Sequence, residues 1–294
     1  MDQAISIWFE SIRNGFLDAF FLIITEFGDE LVFLIISSIL FWVVNKELGY
    51  KFMLIFLGTI TVNDFLKFFI DRPRPWQSGV VSVVGEGSYG HSMPSGHAQG
   101  SMTMALALDK NYGKTKKWVS PLLFTMAILV SISRVYLGQH YVSDVLVGIV
   151  VAFIVFYAVM KFGPKLKITP QKFVYLISPL LIGLLFVVTE KNFFVAVAAM
   201  LALTIGYDLE KKYLNYEIQN RTVLTKVLTY AIGLIIALLL KEGLKMVLPY
   251  TTDIDAEMTT LDLWLDFVRY FILCIWVSLG SFAVFHLIFN RNKR

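Results

Sequence analysis

The sequence predicts an all-α integral membrane protein, a polytopic helical bundle of about nine transmembrane helices with an N-terminal amphipathic helix. Three observations carry that reading. Of the 294 residues 57% are hydrophobic and only 16% charged, with a mean hydropathy of +0.68, far more apolar than a soluble domain. The apolar residues fall into nine runs divided by polar punctuation, several close to the roughly 20 residues that a helix needs to cross a bilayer. The charges are also sorted, with lysines gathered in some connections and acids in others. A formal charge of +4 is too small to indicate a nucleic-acid partner. The single cysteine, Cys274, allows neither an intramolecular disulfide nor a cysteine-rich metal site.

Taken in order, the chain opens Met1-Asp2-Gln3 with no basic region before an apolar stretch, so a cleaved signal peptide is not expected. In residues 4–26, Ile5, Trp8, Phe9, Ile12, Phe16, Phe20 and Ile23 recur at helical spacing. Asp2, Glu10, Arg13 and Asn14 interrupt them, which predicts an amphipathic helix in the membrane interface, with a short span over 16–25 as the alternative. The runs that follow are 31–45, 50–70, 97–108, 118–137, 141–162, 173–189, 192–207, 223–248 and 263–289, the third extending into flanking polar residues. The basic turn 161–172, with Gly163, Pro164 and Pro170, marks the best internal boundary. The expected divisions are an N-terminal interfacial helix (1–28), a core of helices (29–162) and, beyond this turn, C-terminal helices without an assigned role (163–294).

Loop charge predicts orientation. Lys110, Lys114, Lys116 and Lys117 lie in one connection and Lys161, Lys165, Lys167 and Lys172 in another, and both are expected in the cytoplasm. Lys211, Lys212 and Arg221, and the tail with Arg291, Lys293 and Arg294, fall on the same side under nine crossings. The acidic stretch with Asp253, Asp255, Glu257 and Asp262 falls on the other. A plasma-membrane protein is expected, and the same alternation puts residues 94–97 and the turn at His140 outside the cytoplasm.

Three polar clusters share that outer face. Lys67 and Arg74 close the second span, Ser95, Gly96 and His97 open the third, Arg134 closes the fourth, and His140 and Asp144 open the fifth. These residue types suit phosphoryl transfer, where the protein's work is mostly positioning and neutralising charge spread over three equatorial oxygens. Lys67, Arg74 and Arg134 supply cations, and the two arginines can grip oxygens bidentately. Ser95 and the N–H groups of Gly96 and His97 add donors at a helix N-terminus. His140 and Asp144, four apart, share a helix face, so the carboxylate can hold one ring nitrogen while the other points at phosphorus. His140 is then the nucleophile and His97 the acid that protonates the departing alkoxide, with no metal or other cofactor required. Singly, Lys67, Arg74 and Arg134 read as cations snorkelling to headgroups and His140 with Asp144 as a structural pair. Ionised groups at membrane depth are costly, and independent snorkelling gives no reason for these spacings.

Lys67-x6-Arg74-Pro75, Pro94-Ser95-Gly96-His97 and Ser133-Arg134-x5-His140-x3-Asp144 resemble the three signature motifs of the type 2 phosphatidic acid phosphatase superfamily, complete and in order. The resemblance covers roughly residues 30–160. It implies a metal-independent membrane phosphatase working through a phosphohistidine on His140, with Asp144 orienting it and His97 as acid. It also implies phosphate binding by Lys67, Arg74, Ser95, Gly96 and Arg134. Gly28-Asp29-Glu30-Leu31 and the nine-span layout resemble the sphingosine phosphate phosphatase and glucose-6-phosphatase branch.

Helix ends at the outer interface favour a lipid phosphate or polyprenyl diphosphate whose tail stays in the bilayer. The glycine-bearing loop 76–92 can cover a bound headgroup. A lipid phosphotransferase is the main alternative. A non-enzymatic transporter would call for paired broken spans in two related halves, and the sequence has no such symmetry. Vanadate-dependent peroxidases resemble the same motifs, but this composition is that of a membrane protein. Arg72 is expected either to touch phosphate or to pair with Asp71, and Asn63 and Asp64 to support Lys67 or simply to pack; His91 is set outside the chemistry.

Overall fold

The computed structural model describes residues 1–252 and 258–289. Asp253, Asp255, Glu257, Arg291, Lys293 and Arg294, used above for orientation, lie outside the described residues. All regular structure among the described residues is helical. The helices are α1 (Asp2–Ser11), α2 (Gly15–Glu26), α3 (Glu30–Ile39, running into a π-helical turn Leu40–Val44), α4 (Lys46–Ile70), α5 (Gly96–Tyr112) and α6 (Val119–Tyr136). They continue with α7 (Val142–Phe162), α8 (Pro170–Leu184), α9 (Lys191–Tyr213), α10 (Val223–Val247), α11 (Thr260–Ile275) and α12 (Ser281–Phe289), the last two joined by a π-helical turn.

Several starts are written locally in the sequence. Asn14, Ser95, Thr169, Thr222 and Thr259 each accept a hydrogen bond from a backbone N–H of the first turn that follows. Pro170 stands at the head of α8, where its missing N–H costs nothing.

Six helical rods are long and apolar enough to cross a membrane: α4, α6, α7 extended to Leu166, α9, α10, and α11 continuous with α12. The pair formed by α2 and Glu30–Val44, bent by 40°, would make a seventh. The expected first, third and sixth spans are helical but short, at 10 plus 5, 17 and 15 residues. The first is interrupted by its π-turn, the third begins only at the polar Ser95 cap, and the sixth ends soon after Pro179. The single helix expected over 4–26 is two helices. Asn14 takes extended backbone and its side chain accepts from Leu17 N at 3.1 Å, so the amide starts α2 instead of continuing α1.

The chain forms two compact units, one of Met1–Leu34 with Gly58–Lys165, the other of Ile35–Leu57 with the chain from Leu166 onward. In the first, α5 packs between α6 and α7, α2 lies on α6, and α1 lies on α6 and α7. Polar ties hold this arrangement: Asn63 Nδ2 donates to Gln99 Oε1 at 2.6 Å, Gln99 Nε2 to Thr59 O at 2.8 Å, and Ser95 N to Asp144 O at 3.0 Å. Asn63 thus joins α4 to α5.

In the second unit α9 is the centre. Of its apolar window 72% is buried, against 11% for α10, so the two play different parts. Small residues at Ala196, Ala198, Ala199 and Ala202 let neighbours approach, the usual basis of helix packing where lipid offers no hydrophobic gradient. An aromatic cluster of Phe41, Trp42, Tyr50, Tyr207, Phe282 and Phe285 surrounds it, with Tyr50 and Tyr207 stacked at 4.2 Å. Lys46 Nζ pairs with the fully buried Glu210 at 2.6 Å, a type of pair whose loss of one partner costs about 3–5 kcal/mol.

Candidate active site

Every residue expected at the site lies in the first unit, at the end of it where α4 and α6 finish and α5 and α7 begin. Ser95 is fully buried and caps α5, leaving the first N–H groups of that helix directed out of its N-terminus. Lys67 reaches the same place, its Nζ lying 3.9 Å from where a Cβ on Gly96 would stand and 3.9 Å from Asp64 Oδ1. Gly96 therefore leaves open the space between the helix start and the ammonium group.

Arg74 is buried and fully engaged. Its Nε donates to Gly90 O at 3.0 Å, Nη2 to Tyr89 O at 3.0 Å, and Nη1 to Gln139 O at 3.1 Å. Nη1 also lies 3.0 Å from His140 Nε2. A guanidinium has donors and no acceptor, so Nε2 must accept, and the neutral ring carries its proton on Nδ1. On that side Ser92 Oγ is 3.4 Å from Nδ1 and donates to Asp144 Oδ2 at 2.5 Å. Asp144 Oδ2 itself is 3.8 Å from Nδ1, too far for a hydrogen bond. The direct His140–Asp144 contact expected from spacing is thus replaced by contact through Ser92. Asp144 is fully buried, and Tyr141 N at 2.8 Å and Arg72 Nη1 at 2.6 Å complete its partners.

Arg134 is held by Thr25 Oγ1 at 2.9 Å and Ser88 Oγ at 3.0 Å, and its Nε–H has no partner among the described residues. Its carbonyl accepts from the N–H groups of Gln139 and His140, which fixes the turn that returns His140 to the site. Gly138 makes the turn possible: its φ is +77°, and a Cβ there would stand 2.5 Å from Ser82 O. His97 lies against α2's end. A Cβ on Gly28 would be 3.3 Å from the His97 ring and 2.5 Å from Val130 Cγ1, so only glycine lets the chain cross there. His97 is within electrostatic reach of Arg134, Lys67, Arg74 and His140.

The loop 71–95 is tied into this network. Gln139 accepts from Ser88 N at 3.0 Å and donates to Glu86 O at 2.8 Å, while Arg74 holds the carbonyls of Tyr89 and Gly90. Asp71 pairs with His91 at 2.9 Å and not with Arg72, whose guanidinium contacts Asp144 instead. Thr25, Ser88, Ser92, Gln139 and Asp2 were not legible as site residues: they match no spacing rule and gain their roles only through tertiary contact.

Comparison with known proteins identifies the family. The PAP2 superfamily profile matches residues 48–168, and that of the PAP2 superfamily phosphatase transmembrane extension matches 194–292. Phosphatidylglycerophosphatase B of Bacillus subtilis is 34% identical over 182 residues, which is 58% of this chain and 87% of that protein. The chain belongs to the PAP2 superfamily. It is accordingly a phosphoric ester hydrolase, of a lipid phosphatase family, and an integral membrane protein. Sphingosine-1-phosphate phosphatase 1 of Rattus norvegicus is 28% identical over 143 residues, 45% of this chain and 33% of that longer protein. The crystal structure of a PAP2-type phosphatidylglycerolphosphate phosphatase from Bacillus subtilis is 31% identical and covers 56% of this chain and 86% of its own, with a TM-score of 0.48. The C-terminal helices, for which the sequence offered no motif, thus carry the family's own extension.

Burial, and then the positive charges of Arg74, Arg134 and Lys67, push the His140 imidazole well below 6.5. A depressed value keeps the ring neutral, with Nε2 unprotonated, as pH falls through 6.5. The acid limb of kcat/KM, with the substrate's own ionisation divided out, is therefore expected below pH 6.5. A limb at or above that value contradicts the assignment of Nε2 as nucleophile.

Proposed function

We propose that this PAP2 protein hydrolyses a lipid phosphate monoester or polyprenyl diphosphate, without a metal, through a phosphohistidine on His140. The observation that carries the reading is the contact of Arg74 Nη1 with His140 Nε2, which selects the tautomer a nucleophile needs. An incoming phosphate takes Arg74, Arg134, Lys67, Ser95 and the N–H groups of Gly96 and His97 as donors, and Arg74 leaves Nε2 for a phosphate oxygen. The Nε2 lone pair then bonds to phosphorus as the bond from phosphorus to the lipid oxygen breaks, and protonated His97 gives that oxygen its proton. Asp144, through Ser92 or directly once the ring moves, stabilises the positive charge left on His140. Neutral His97 next takes a proton from water, whose oxygen bonds to phosphorus and releases phosphate from Nε2.

Three cations with a helix N-terminus supply the charge stabilisation that a metal would otherwise give. Phosphatidate, phosphatidylglycerophosphate, a sphingoid phosphate and undecaprenyl diphosphate, each offered in detergent, test the proposal. At least one is expected to release phosphate, in EDTA as in buffer, and His140→Ala to abolish the release while the protein stays folded. Normal turnover by His140→Ala, or loss in EDTA restored by one divalent metal, sinks the mechanism.

We further propose that α1 lies in the interface and that nine crossings place the site outside the cytoplasm in the plasma membrane, with 1–28, 29–162 and 163–294 as functional divisions. The lysine-rich connections at the opposite end of the first unit support this orientation. Glu86→Cys should react with an impermeant maleimide on intact cells, and Lys116→Cys only after permeabilisation. The reverse pattern overturns the orientation.

A further inference from the structure

Arg72 has no part in the three motifs, yet it makes a close ion pair in the site, Nη1 to Asp144 Oδ1 at 2.6 Å. The same Nη1 is 2.6 Å from Ser143 Oγ, and Nη2 is 2.9 Å from Asp2 Oδ2. Ser143 also binds Asp2, through its hydroxyl to Oδ2 and its N–H to Oδ1 at 3.3 Å. The guanidinium stands 4.1 Å from the centre of the Tyr141 ring, so its face is covered as well as two of its edges. Burial alone would raise the Asp2 carboxyl, but hydrogen bonds from Ser143 and Arg72 override it and hold the group below its usual range.

Asp2 belongs to α1, which is independently anchored to the first unit. Phe9 packs on Ala98, Val135 and Val145, Glu10 Oε1 accepts from Ser82 N at 2.7 Å, and Arg13 donates to Tyr136 O at 2.8 Å. The first turn of the chain is thereby placed over the start of α7, next to the residue that backs the nucleophile.

We propose that Arg72 and Asp2 are positioning residues of the phosphatase, so that α1 completes the active site through the chain Asp2–Arg72–Asp144–Ser92–His140. This rests on the phosphohistidine reading above. Asp144 presents Oδ2 to Ser92 and Tyr141 only while Oδ1 is held, and the group holding it is a long side chain that would otherwise turn to solvent. Asp2 and Ser143 prevent that turn. Losing either Arg72 or Asp2 lets the carboxylate rotate, and the Nδ1 proton of His140 loses its backing as positive charge develops on the ring. Lys67, Arg74 and Arg134, which take the phosphate, are untouched, so turnover falls and substrate binding does not.

The test is steady-state kinetics of the full-length protein in detergent, on whichever of the four lipid substrates it turns over, with equal folding verified by thermal unfolding. Arg72→Met is expected to lower kcat about 10–100-fold, the range for removing a group that orients a functional side chain from outside, with KM within about twofold. Asp2→Asn lowers kcat in the same way but less, and adds nothing on the Arg72→Met background because it acts through Arg72. Arg72→Lys recovers part of the loss. Glu10→Gln cuts the neighbouring anchor of α1 and leaves kcat within about twofold. Native kcat in Arg72→Met or Asp2→Asn overturns the inference while leaving the phosphatase reading intact. So does a loss confined to KM, which would make Arg72 a phosphate contact, or an equal loss in Glu10→Gln, which would make α1 merely structural. A folded native protein that releases no phosphate from any of the four sinks the phosphatase reading and this inference with it.

Discussion

Arg74 and His140 meet at 3.0 Å deep in the first unit, and much of that unit is arranged around the contact. An arginine cannot accept a hydrogen bond, so its approach to Nε2 dictates where the ring proton sits, and the ring's other side must then find an acceptor. Ser92 and Asp144 supply it. Holding the guanidinium at that spot takes its remaining donors to the carbonyls of Tyr89, Gly90 and Gln139, and so folds the loop between α4 and α5 back over the site. The same guanidinium that fixes the His140 tautomer also ties down the loop.

Gathering Lys67, Arg74 and Arg134 at one buried place is electrostatically unfavourable until an anion arrives. The protein tolerates it by solvating the arginines with neutral oxygens: backbone carbonyls for Arg74, and the hydroxyls of Thr25 and Ser88 for Arg134. These partners are weaker than a phosphate oxygen, so under the proposed mechanism the substrate displaces them. A carboxylate in their place would bind the arginines more firmly and compete with the substrate. The carboxylate nearest the His140 ring, Asp144, is turned instead toward Arg72 and Ser92.

The helix ends that deliver the site were legible because membrane spans and fixed motif spacings are one-dimensional signals. Lys67, Ser95, Arg134 and Asp144 could each be assigned to a helix end by counting residues along the chain, while Arg74 lies in the loop beyond α4. The lengths of the spans were less legible: apolar runs do not reveal a π-turn at Leu40–Val44, nor that Asn14 would split the N-terminal helix by capping the next one. What counting could not reach were the partners from distant segments. Thr25 lies 109 residues from Arg134, and Asp2 lies 141 from Ser143, and neither carries a local mark of its role. Gly28 belongs to the tetrapeptide Gly28-Asp29-Glu30-Leu31, and the physical reason for a glycine there, the close crossing against His97 and Val130, appears only in three dimensions.

The central claim is that His140 Nε2 becomes bonded to phosphorus. Rapid quench of the protein with a phosphorus-labelled substrate, followed by digestion at alkaline pH and peptide mass spectrometry, tests it most directly. The account predicts an acid-labile, alkali-stable phosphoryl group on the peptide containing His140, absent from His140→Ala and accumulating when the water-activating His97 is replaced by alanine under a substrate with a good leaving group. Label on Ser95 or Asp144, or none at all during turnover that proceeds unchanged in His140→Ala, would contradict it.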